Sequence, residues 1–409
     1  MVSTVLLLVF SSLILLRSIL IIAGFTGRFL LPRDHISFKK AETHPTFSVL
    51  IAAYREAEMM EQLAQALSKL SWPADKIEYF LLLEVDDPET HKAAKAASFP
   101  PNTSLIRVPS GGPKTKPNAL NFGLSLSRGD IVTVYDAEDQ PHPAQLRTVH
   151  NALRHAPDRT VCVQAPLVAR NVDQNWISAQ WALEYAVHFG LLVPGSSSYR
   201  MPIPLGGTSN HIRRDALLAL GGWDAWNVIE DADLGMRMAR AGLLTTTIRT
   251  PTFETAPSCF NIWCLQRRRW LKGFLQTWLV LMRNPVQTLR QMGLTQFLFV
   301  QIVLGGTILT SLAYAPVAVL VIAACFSNQL EIGAVGITML FSGLTLGLMG
   351  DLLAPGRWSW MRVLATVTRP FYWPLHSIAA YSAVWELATR PFFWAKTPHQ
   401  PSDAEPQAF

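Results

Sequence analysis

Three carboxylates stand within four residues of this chain, at Asp136, Glu138 and Asp139, directly after the apolar run 130–135. Crowded carboxylates repel one another unless a cation or a proton relieves the repulsion. Mg²⁺ and Mn²⁺ prefer hard oxygen ligands and usually bind between carboxylates and substrate phosphates. The cluster therefore predicts a divalent metal that bridges to a diphosphate, and a solvated acidic turn is the alternative.

Two further acidic pairs lie next to predicted helices. Glu230 and Asp231 enter a helix, and an acid placed where an acceptor hydroxyl arrives would serve as a general base. Alternatively, these acids complement the positive end of the helix dipole. Asp86 and Asp87 follow a predicted strand and could hydrogen-bond a ring N–H or ribose hydroxyls, although Asp87 could equally cap the helix that begins at Pro88.

A basic and aromatic cluster, Gln266-Arg267-Arg268-Arg269-Trp270, contains three consecutive arginines. Arginine donors can neutralise a leaving diphosphate, and an indole face can stack on a sugar ring. The cluster also stands shortly before an apolar segment, so it could equally anchor the chain to lipid headgroups. Composition alone does not decide between these interpretations.

The elements that must position these residues alternate between strands and helices. The predicted strands are 47–53, 78–85, 104–108, 130–135 and 160–165, and the predicted helices are 56–70, 88–97, 117–126 and 143–155. This alternation predicts an α/β domain with a mostly parallel sheet and helices on both faces. Ligands of such sheets bind at the carboxyl ends of the strands, which is where the acidic clusters lie.

Composition separates this charged middle from two apolar ends. Of 409 residues, 50% are hydrophobic and 16% are charged, the mean hydropathy is +0.22, and the net charge is +6. These values exclude a disordered or wholly water-exposed protein. The sequence has no long run of one charge, so a nucleic-acid partner is not indicated. The segments 4–25, 297–326 and 332–353 are apolar and long enough to span a bilayer, with Arg17 as the one charge in the first.

The topology is predicted by the basic residues Arg28, Arg33, Lys39 and Lys40, because such clusters stay on the cytoplasmic side of a membrane. We therefore expect a multi-pass protein of the plasma (inner) membrane with its charged middle in the cytosol. The expected divisions are a transmembrane helix at 1–27, a cytosolic domain at 28–293 that ends in an interfacial helix, a transmembrane hairpin at 294–356, an interfacial or fourth membrane segment at 357–397, and a polar tail at 398–409.

In their order, the motifs of this chain resemble those of membrane-bound family 2 glycosyltransferases, the group of cellulose, chitin and hyaluronan synthases. They are Ala53-Tyr54-Arg55-Glu56, Asp86-Asp87, Lys116-Pro117-Asn118-Ala119-Leu120-Asn121, Asp136-Ala137-Glu138-Asp139, Gly206-Gly207-Thr208-Ser209, Glu230-Asp231 and Gln266-Arg267-Arg268-Arg269-Trp270. The resemblance implies a GT-A type, Rossmann-like domain that uses a nucleotide diphosphate sugar, usually a UDP-sugar. It also implies inversion at the anomeric carbon to give a β-linkage.

The resemblance further implies a role for each motif. Asp231 would be the general base, with Glu230 beside it, and Arg269 and Trp270 would act at the diphosphate and the acceptor sugar. The residues expected to bind the donor are Tyr54, Glu56, Asp86, Asp87, Lys116, Asn121 and Gln266. The residues expected to hold Mg²⁺ or Mn²⁺ are Asp136, Glu138 and Asp139.

Two positions depart from the family's pattern. The second acid of its Asp-x-Asp motif is Glu138 here, followed by Asp139, so either could be the second metal ligand. Ile229 replaces the threonine of its Thr-Glu-Asp motif, which removes a hydroxyl but keeps both acids.

The resemblance implies transfer of sugars from a nucleotide-sugar donor to a growing β-linked polysaccharide at the bilayer. Because three clear spans are few for a translocation path, a second copy of the chain or an accessory subunit could be needed to complete a channel. One alternative is the transfer of a single sugar to a lipid acceptor. Another is an inactive nucleotide-sugar sensor, which the intact Asp231 disfavours because a sensor needs no base.

Overall fold

The computed structural model describes residues 2–27, 44–109, 111–327, 333–391 and 393, so the basic cluster 28–40 and the polar tail lie outside the described residues. The strands are β1 (Phe47–Ala53), β2 (Ile77–Glu84), β3 (Thr103–Val108), β4 (Ile131–Tyr135), β5 (Gln140–Pro141), β6 (Thr160–Gln164), β7 (Leu167–Ala169), β8 (Asn210–Arg213), β9 (Leu244–Thr247) and β10 (Thr252–Glu254). The α-helices are α1 (Val2–Gly27), α2 (Met60–Ser68), α3 (Pro88–Ala96), α4 (Lys116–Leu126), α5 (Gln145–His155), α6 (Trp176–Val187), α7 (Val193–Ser198), α8 (Arg214–Ala219), α9 (Glu230–Arg240), α10 (Phe260–Leu281), α11 (Pro285–Val300), α12 (Thr307–Phe326), α13 (Ala334–Leu353), α14 (Trp360–Val367) and α15 (Arg369–Thr389).

The main sheet has seven strands in the order β3-β2-β1-β4-β8-β6-β9. Strand β8 runs antiparallel to both of its neighbours, and the other pairs are parallel. The predicted α/β class with a mostly parallel sheet is therefore confirmed. Each of the five predicted strands is present to within two residues at either end.

Strands β8 and β9 of the main sheet and the second sheet, in the order β5-β10-β7, have no counterpart in the sequence prediction. The sequence of β8 is Asn-His-Ile-Arg, so no apolar run marks it. His211 of β8 is nevertheless fully buried, and its Nδ1 lies 2.8 Å from the Thr133 hydroxyl of β4. Strands β5, β7 and β10 have only two or three residues, below the roughly four to eight on which strand prediction relies.

Alternate side chains of β1 enter two separate cores, because successive residues of a strand point to opposite faces of a sheet. Val49 and Ile51 pack with residues of α2 and α5, whereas Leu50 packs with residues of α4, α8 and α9. Since β1 pairs in parallel with β4, the residues that follow Ala53 and Tyr135 leave the sheet at the same edge.

Three helical segments are long and apolar enough to span a bilayer within the described ranges, Leu7–Gly27, Pro285–Phe326 and Ala334–Leu353. They coincide with the three spans predicted from the sequence. Gly293 has a φ of 76° and breaks the second segment, so its regular apolar part begins after that residue.

Helix α15 lies in the predicted interfacial or fourth membrane segment and packs along α10 and α12. The Trp263 indole donates to the Tyr372 hydroxyl at 2.7 Å, and the Ser377 hydroxyl donates to the Ser311 carbonyl at 2.6 Å. Helix α15 is not among these three apolar segments, and its location at the membrane interface stays a prediction.

The inner end of α1 is packed into the domain, whereas its outer half exposes leucines such as Leu8 and Leu15. Leu20 and Ile21 are buried, and the backbone of α1 approaches the α6–α7 region closely. A Cβ atom added at Gly24 would overlap the Leu191 carbonyl. Close backbone contact therefore joins the first apolar segment to the domain.

We expect Gly24→Ala to lower the thermal unfolding temperature of the purified protein, because overpacking a tight contact costs about 1–3 kcal/mol. The matched control is Gly343→Ala in α13, where a new Cβ meets nothing within 4 Å. An equal effect of the two substitutions would contradict the proposed packing of α1.

Candidate active site

A cavity of about 1550 Å³ extends from the carboxyl ends of β1 and β4 to the apolar helices α12 and α13. Ten of the site residues predicted from the sequence line this cavity. They are Tyr54, Glu56, Lys116, Asp136, Glu138, Glu230, Asp231, Gln266, Arg269 and Trp270. Four predicted site residues, Asp86, Asp87, Asn121 and Asp139, are not among the lining residues.

Asp87 shapes the loop that carries Tyr54 and Glu56. Its side chain accepts hydrogen bonds from the backbone N–H of Arg55 and, at 3.2 Å, from that of Thr90 in the first turn of α3. Arg55 has a φ of 54°, a left-handed conformation that is uncommon outside glycine, and the bond from Asp87 helps to hold it. These contacts support the capping interpretation of Asp87 rather than direct contact with a ligand.

Asp86 and Asn121 also interact with the protein itself. The ammonium of Lys114, which lines the cavity, pairs with the exposed Asp86 carboxylate and lowers the pKa of that carboxyl. The Asn121 side chain donates to the Trp223 carbonyl at 2.7 Å and accepts from its N–H at 2.9 Å. Asn121 thus fastens the loop after α8 to α4, and the predicted contacts of Asp86 and Asn121 with a donor stay predictions.

Lys116 joins the end of β4 to the Gly206–Gly207 loop. Its ammonium pairs with Asp136 and donates to the Gly207 carbonyl at 2.6 Å. A Cβ at Gly207 would meet Asp231 Oδ2 at 3.3 Å, which places the carboxylate of Asp231 beside this loop. Burial lowers the pKa of Lys116, but the charges of Asp136 and Glu230 outweigh burial and raise it.

Asp139 is fully buried and supports Asp136 from behind. Its Oδ2 accepts from the Asp136 N–H at 2.7 Å and from the Thr208 hydroxyl, while its Oδ1 has no hydrogen-bond partner. Burial, and then the charge of Asp136, raise the pKa of Asp139 well above its usual value. Of the three predicted metal ligands, Asp136 and Glu138 line the cavity and Asp139 does not.

Glu254 is a cavity-lining carboxylate that the sequence analysis does not identify. It ends β10, is 9% exposed, and its Oε1 is buried without a hydrogen-bond partner. Burial, followed by the charges of Glu138 and Asp139, raises its pKa well above the usual range. One feature of the sequence could have identified Glu254. It is the only acidic residue between Asp233 and Glu331.

The donor atoms at this edge fit a divalent cation that also binds phosphate. No three His, Cys, Asp or Glu side chains within the described ranges form a complete metal site. Mg²⁺, however, is commonly bound by one or two carboxylates plus substrate phosphates, which Asp136 and Glu138 can provide. The unpartnered buried oxygens of Asp139 and Glu254 add negative charge that a cation would compensate.

Glu230 and Asp231 occupy the first turn of α9, which Ile229 precedes without a side-chain cap. Ile229 instead packs against α10, where a Cβ at Gly273 would overlap its side chain. Burial, and then the charge of Asp231, raise the pKa of Glu230 to about 7. Burial also raises the pKa of Asp231, against the opposing charges of Lys116 and Arg269, and so makes its carboxylate a stronger base.

The structure separates the three consecutive arginines. Arg267 pairs with Glu184, and Arg268 pairs with Glu386 at 3.0 Å. Arg269 faces the cavity, and its buried Nε has no hydrogen-bond partner. Arg269 is therefore the arginine of this cluster that is available to an anion in the cavity.

An aromatic stack lies next to Arg269. The rings of Trp181 and Tyr185 stack with centroids 3.6 Å apart, and Tyr185 lies 5.9 Å from Trp270 at an interplanar angle of 29°. Gln266 accepts a hydrogen bond from the Trp181 indole at 2.8 Å. Gln266 thus orients the stack, and Trp270 presents it to the cavity.

We expect Glu230→Gln to remove a pH dependence of stability. Between about pH 4.5 and pH 7, the carboxyl of Glu230 is ionised in the unfolded chain but protonated in the folded one, so its contribution to stability falls as the pH rises through this window. The unfolding temperature of the variant minus that of the wild type should therefore increase as the pH rises. Glu89→Gln, at the exposed first turn of α3, is the control, and a constant difference for Glu230→Gln would contradict the assignment.

Solved and curated proteins are similar to this chain in fold and in sequence. Mannosyltransferase PcManGT from Pyrobaculum calidifontis, solved in complex with GDP-Man and Mn²⁺, superposes with a TM-score of 0.56 at 18% identity, over 91% of this chain and 98% of that one. This similarity shows a shared GT-A fold.

Three curated relatives illustrate the sequence similarity. The probable glycosyltransferase YdaM of Bacillus subtilis is 26% identical over 56% of this chain and 55% of its own length. The beta-monoglucosyldiacylglycerol synthase of Synechocystis is 25% identical over 64% and 55%, and the probable glucomannan 4-beta-mannosyltransferase 14 of Arabidopsis thaliana is 26% identical over 59% and 47%. The chain spans about half the length of these relatives.

Two family models match the chain, Glycosyl transferase family 2 over residues 48–211 and Glycosyl transferase family group 2 over residues 131–385. The second covers more than half of the sequence and includes Asp136, Asp231 and Arg269. The chain therefore belongs to Glycosyl transferase family group 2, as its motifs predict.

Proposed function

We propose that this protein transfers a sugar from a nucleotide diphosphate sugar to a lipid acceptor at the membrane surface. The observation that carries the proposal is the continuity of one cavity, which joins Lys116, Asp136 and Asp231 to the aliphatic faces of α12 and α13. A soluble donor and an apolar acceptor could meet within such a cavity without leaving their own phases.

The donor would bind at the end formed by β1 and β4. Tyr54 and Glu56 line the cavity and would contact the nucleotide, and Lys116 and Arg269 would supply positive charge for the diphosphate. Asp87 and Asn121 act as positioning residues, because each holds a loop beside this end rather than lining it. A UDP-sugar is the donor that the motifs favour.

Asp136 and Glu138 would hold Mg²⁺ or Mn²⁺, with Asp139 positioning Asp136 and Glu254 adding to the local negative charge. The bound ion would supply Lewis-acid stabilisation of the leaving diphosphate. The solved mannosyltransferase in complex with Mn²⁺ is consistent with this choice of ion.

Asp231 would act as the general base. Its carboxylate takes the proton of the acceptor hydroxyl as that oxygen forms a bond to the anomeric carbon. The bond from the anomeric carbon to the diphosphate oxygen breaks, and the diphosphate leaves with the electron pair of that bond. Lys116 and Arg269 neutralise the negative charge that develops on the diphosphate. A single displacement of this kind inverts the anomeric configuration.

The acceptor would be a lipid because the membrane end of the cavity is aliphatic. Its walls there include Val319, Ile322 and Leu344, which offer no hydrogen bonds to a sugar chain. Trp270 could stack on the sugar that is transferred. A diacylglycerol-modifying synthase among the relatives supports this choice.

A growing polysaccharide is the second candidate acceptor. The stack of Trp181, Tyr185 and Trp270 is suited to sugar rings, and glucomannan mannosyltransferases are among the relatives. A polymer would require a polar path through the membrane, to which a second copy of the chain or an accessory subunit could contribute. Both acceptor proposals include a cytosolic location for the domain and a domain boundary at residue 293.

Product size distinguishes the two acceptors. The purified protein, supplied with a membrane lipid extract and radiolabelled UDP-sugars, should yield a label that extracts into organic solvent and corresponds to one added sugar by mass spectrometry. A ladder of water-soluble oligosaccharides would favour the polysaccharide and contradict the lipid proposal.

We expect Asp231→Asn to lower the transfer rate by roughly 10²–10⁴-fold while leaving the KM for the donor little changed, because the amide cannot accept the proton. The control is Asp233→Asn in the same helix, which pairs with Arg237 and does not line the cavity. Transfer by Asp231→Asn at the wild-type rate would exclude the proposed base.

Removal of divalent metal should abolish transfer, and added Mn²⁺ or Mg²⁺ should restore it. Asp136→Asn should raise the metal concentration needed for half-maximal activity, because one hard oxygen ligand is weakened. Asp130→Asn, at the opposite end of β4, is the control for this substitution. Full activity in excess EDTA would contradict the metal assignment.

A further inference from the structure

Arg17 is the only charged residue between Met1 and Gly27, and it stands on the face of α1 that packs into the protein. Leu13, one turn before it, packs against Gly306, and Ile21, one turn after it, packs against Gly350. Arg17 lines the same cavity as the candidate active site. Arg17 is exposed, and its charge acts on His188, so its guanidinium is open to a ligand that enters the cavity.

The contact of α1 with the end of α13, a candidate span, indicates the depth at which Arg17 lies. Ile21 contacts α13 three residues before that helix ends at Leu353, and Leu20, Ile21 and Ala23 of α1 are buried in the domain. Arg17 lies one turn, about 5.4 Å, to the membrane side of Ile21. Arg17 thus lies near the end of the α13 span, where the headgroups of a bilayer crossed by that helix are expected.

Two carboxylates that line the cavity with Arg17 already have arginine partners. Glu184 pairs with Arg267, and Asp351 pairs with Arg369 at 3.2 Å. Burial, and then the charge of Arg17, lower the pKa of His188 to about 4, so this neighbour is neutral at pH 7. In the part of the chain that the structure describes, Arg17 itself makes no hydrogen bond or ion pair.

An unpaired cation beside a bilayer is energetically unfavourable. Such a residue indicates a functional site at which an anionic ligand supplies the opposite charge. We propose that Arg17 binds the phosphate of an anionic lipid whose acyl chains lie on the aliphatic faces of α12 and α13. A guanidinium can donate two parallel hydrogen bonds to a phosphate. The inference rests on the proposed function in one respect, since the lipid bound there would be the sugar acceptor.

The cavity favours a lipid phosphate over a free phosphate. A free phosphate would leave the aliphatic walls next to Arg17 without an occupant, including Leu20, Val303 and Leu344. The diphosphate of a donor has its own cationic partners in Lys116 and Arg269. A lipid with a phosphate and a hydroxyl would satisfy the charge, the apolar walls and the general base together.

The test measures lipid binding by the full chain in the absence of donor. Phosphatidylglycerol carries a phosphate and free hydroxyls, and diacylglycerol is its neutral counterpart. The wild type should bind phosphatidylglycerol at least roughly tenfold more tightly than diacylglycerol, and Arg17→Gln should remove this preference. Arg290→Gln, which removes an exposed arginine of α11 outside the cavity, should keep it.

Each remaining outcome is decisive. No preference in the wild type, or a preference that survives in folded Arg17→Gln, would overturn the inference. Competition by inorganic phosphate as strong as that by the lipid would replace the lipid with a free anion. If Arg17→Gln does not fold, Arg17→Lys, which keeps the charge but loses the paired donors, should show a reduced preference, and an unchanged one would overturn the proposal.

Parallel transfer assays separate this inference from the proposed function. An Arg17-dependent preference without glycosylation of either lipid would retain the phosphate site and reject the lipid acceptor. Glycosylation of diacylglycerol and phosphatidylglycerol at equal rates in both wild type and Arg17→Gln would retain the lipid acceptor and reject the phosphate site.

Discussion

The arrangement of the site depends on how the buried negative charge at the carboxyl edge of the sheet is balanced. Asp136, Asp139, Glu230, Asp231 and Glu254 gather there, largely out of water. Lys116 offsets part of this charge by pairing with Asp136, and it ties the Gly207 loop to the strand edge through a second bond. The same ammonium lies beside Asp231, so one cation connects the metal-binding end of the site to the proposed base.

A second set of contacts attaches this edge to the apolar helices. Lys272 is fully buried in α10 and donates to Glu386 and to the carbonyls of Arg390 and Phe393, which holds α15 along α10. Glu386 also forms an ion pair with Arg268. Arg267 and Arg269 both line the cavity, but Arg267 is paired with Glu184, so Arg269 is the one available to an anion there. The basic cluster is therefore both a structural attachment and a ligand-binding element.

The sequence predicted strands β1, β2, β3, β4 and β6 well because apolar residues predominate in each of them between polar turns, as 47–53 illustrates. It did not predict β8, since a buried His211 bonded to Thr133 replaces the apolar pattern with a hydrogen bond that only the neighbouring strand can supply. Glu254 escaped for a similar reason. Its place beside Glu138 arises from the small sheet of β5, β10 and β7, whose strands are too short to be visible in a pattern.

The family, the α/β class, the apolar segments and the motifs that carry acids and arginines follow from the sequence alone, because those features depend on residue type and on spacing along the chain. The packing of the elements selects which members of each motif line the cavity. Asp136 lines it while Asp139 is buried behind it, and Asp87 caps a helix. It also placed Arg17 in the same cavity as Asp231, although more than two hundred residues separate them. Pairing across such distances depends on packing between elements, which no local pattern of residues encodes.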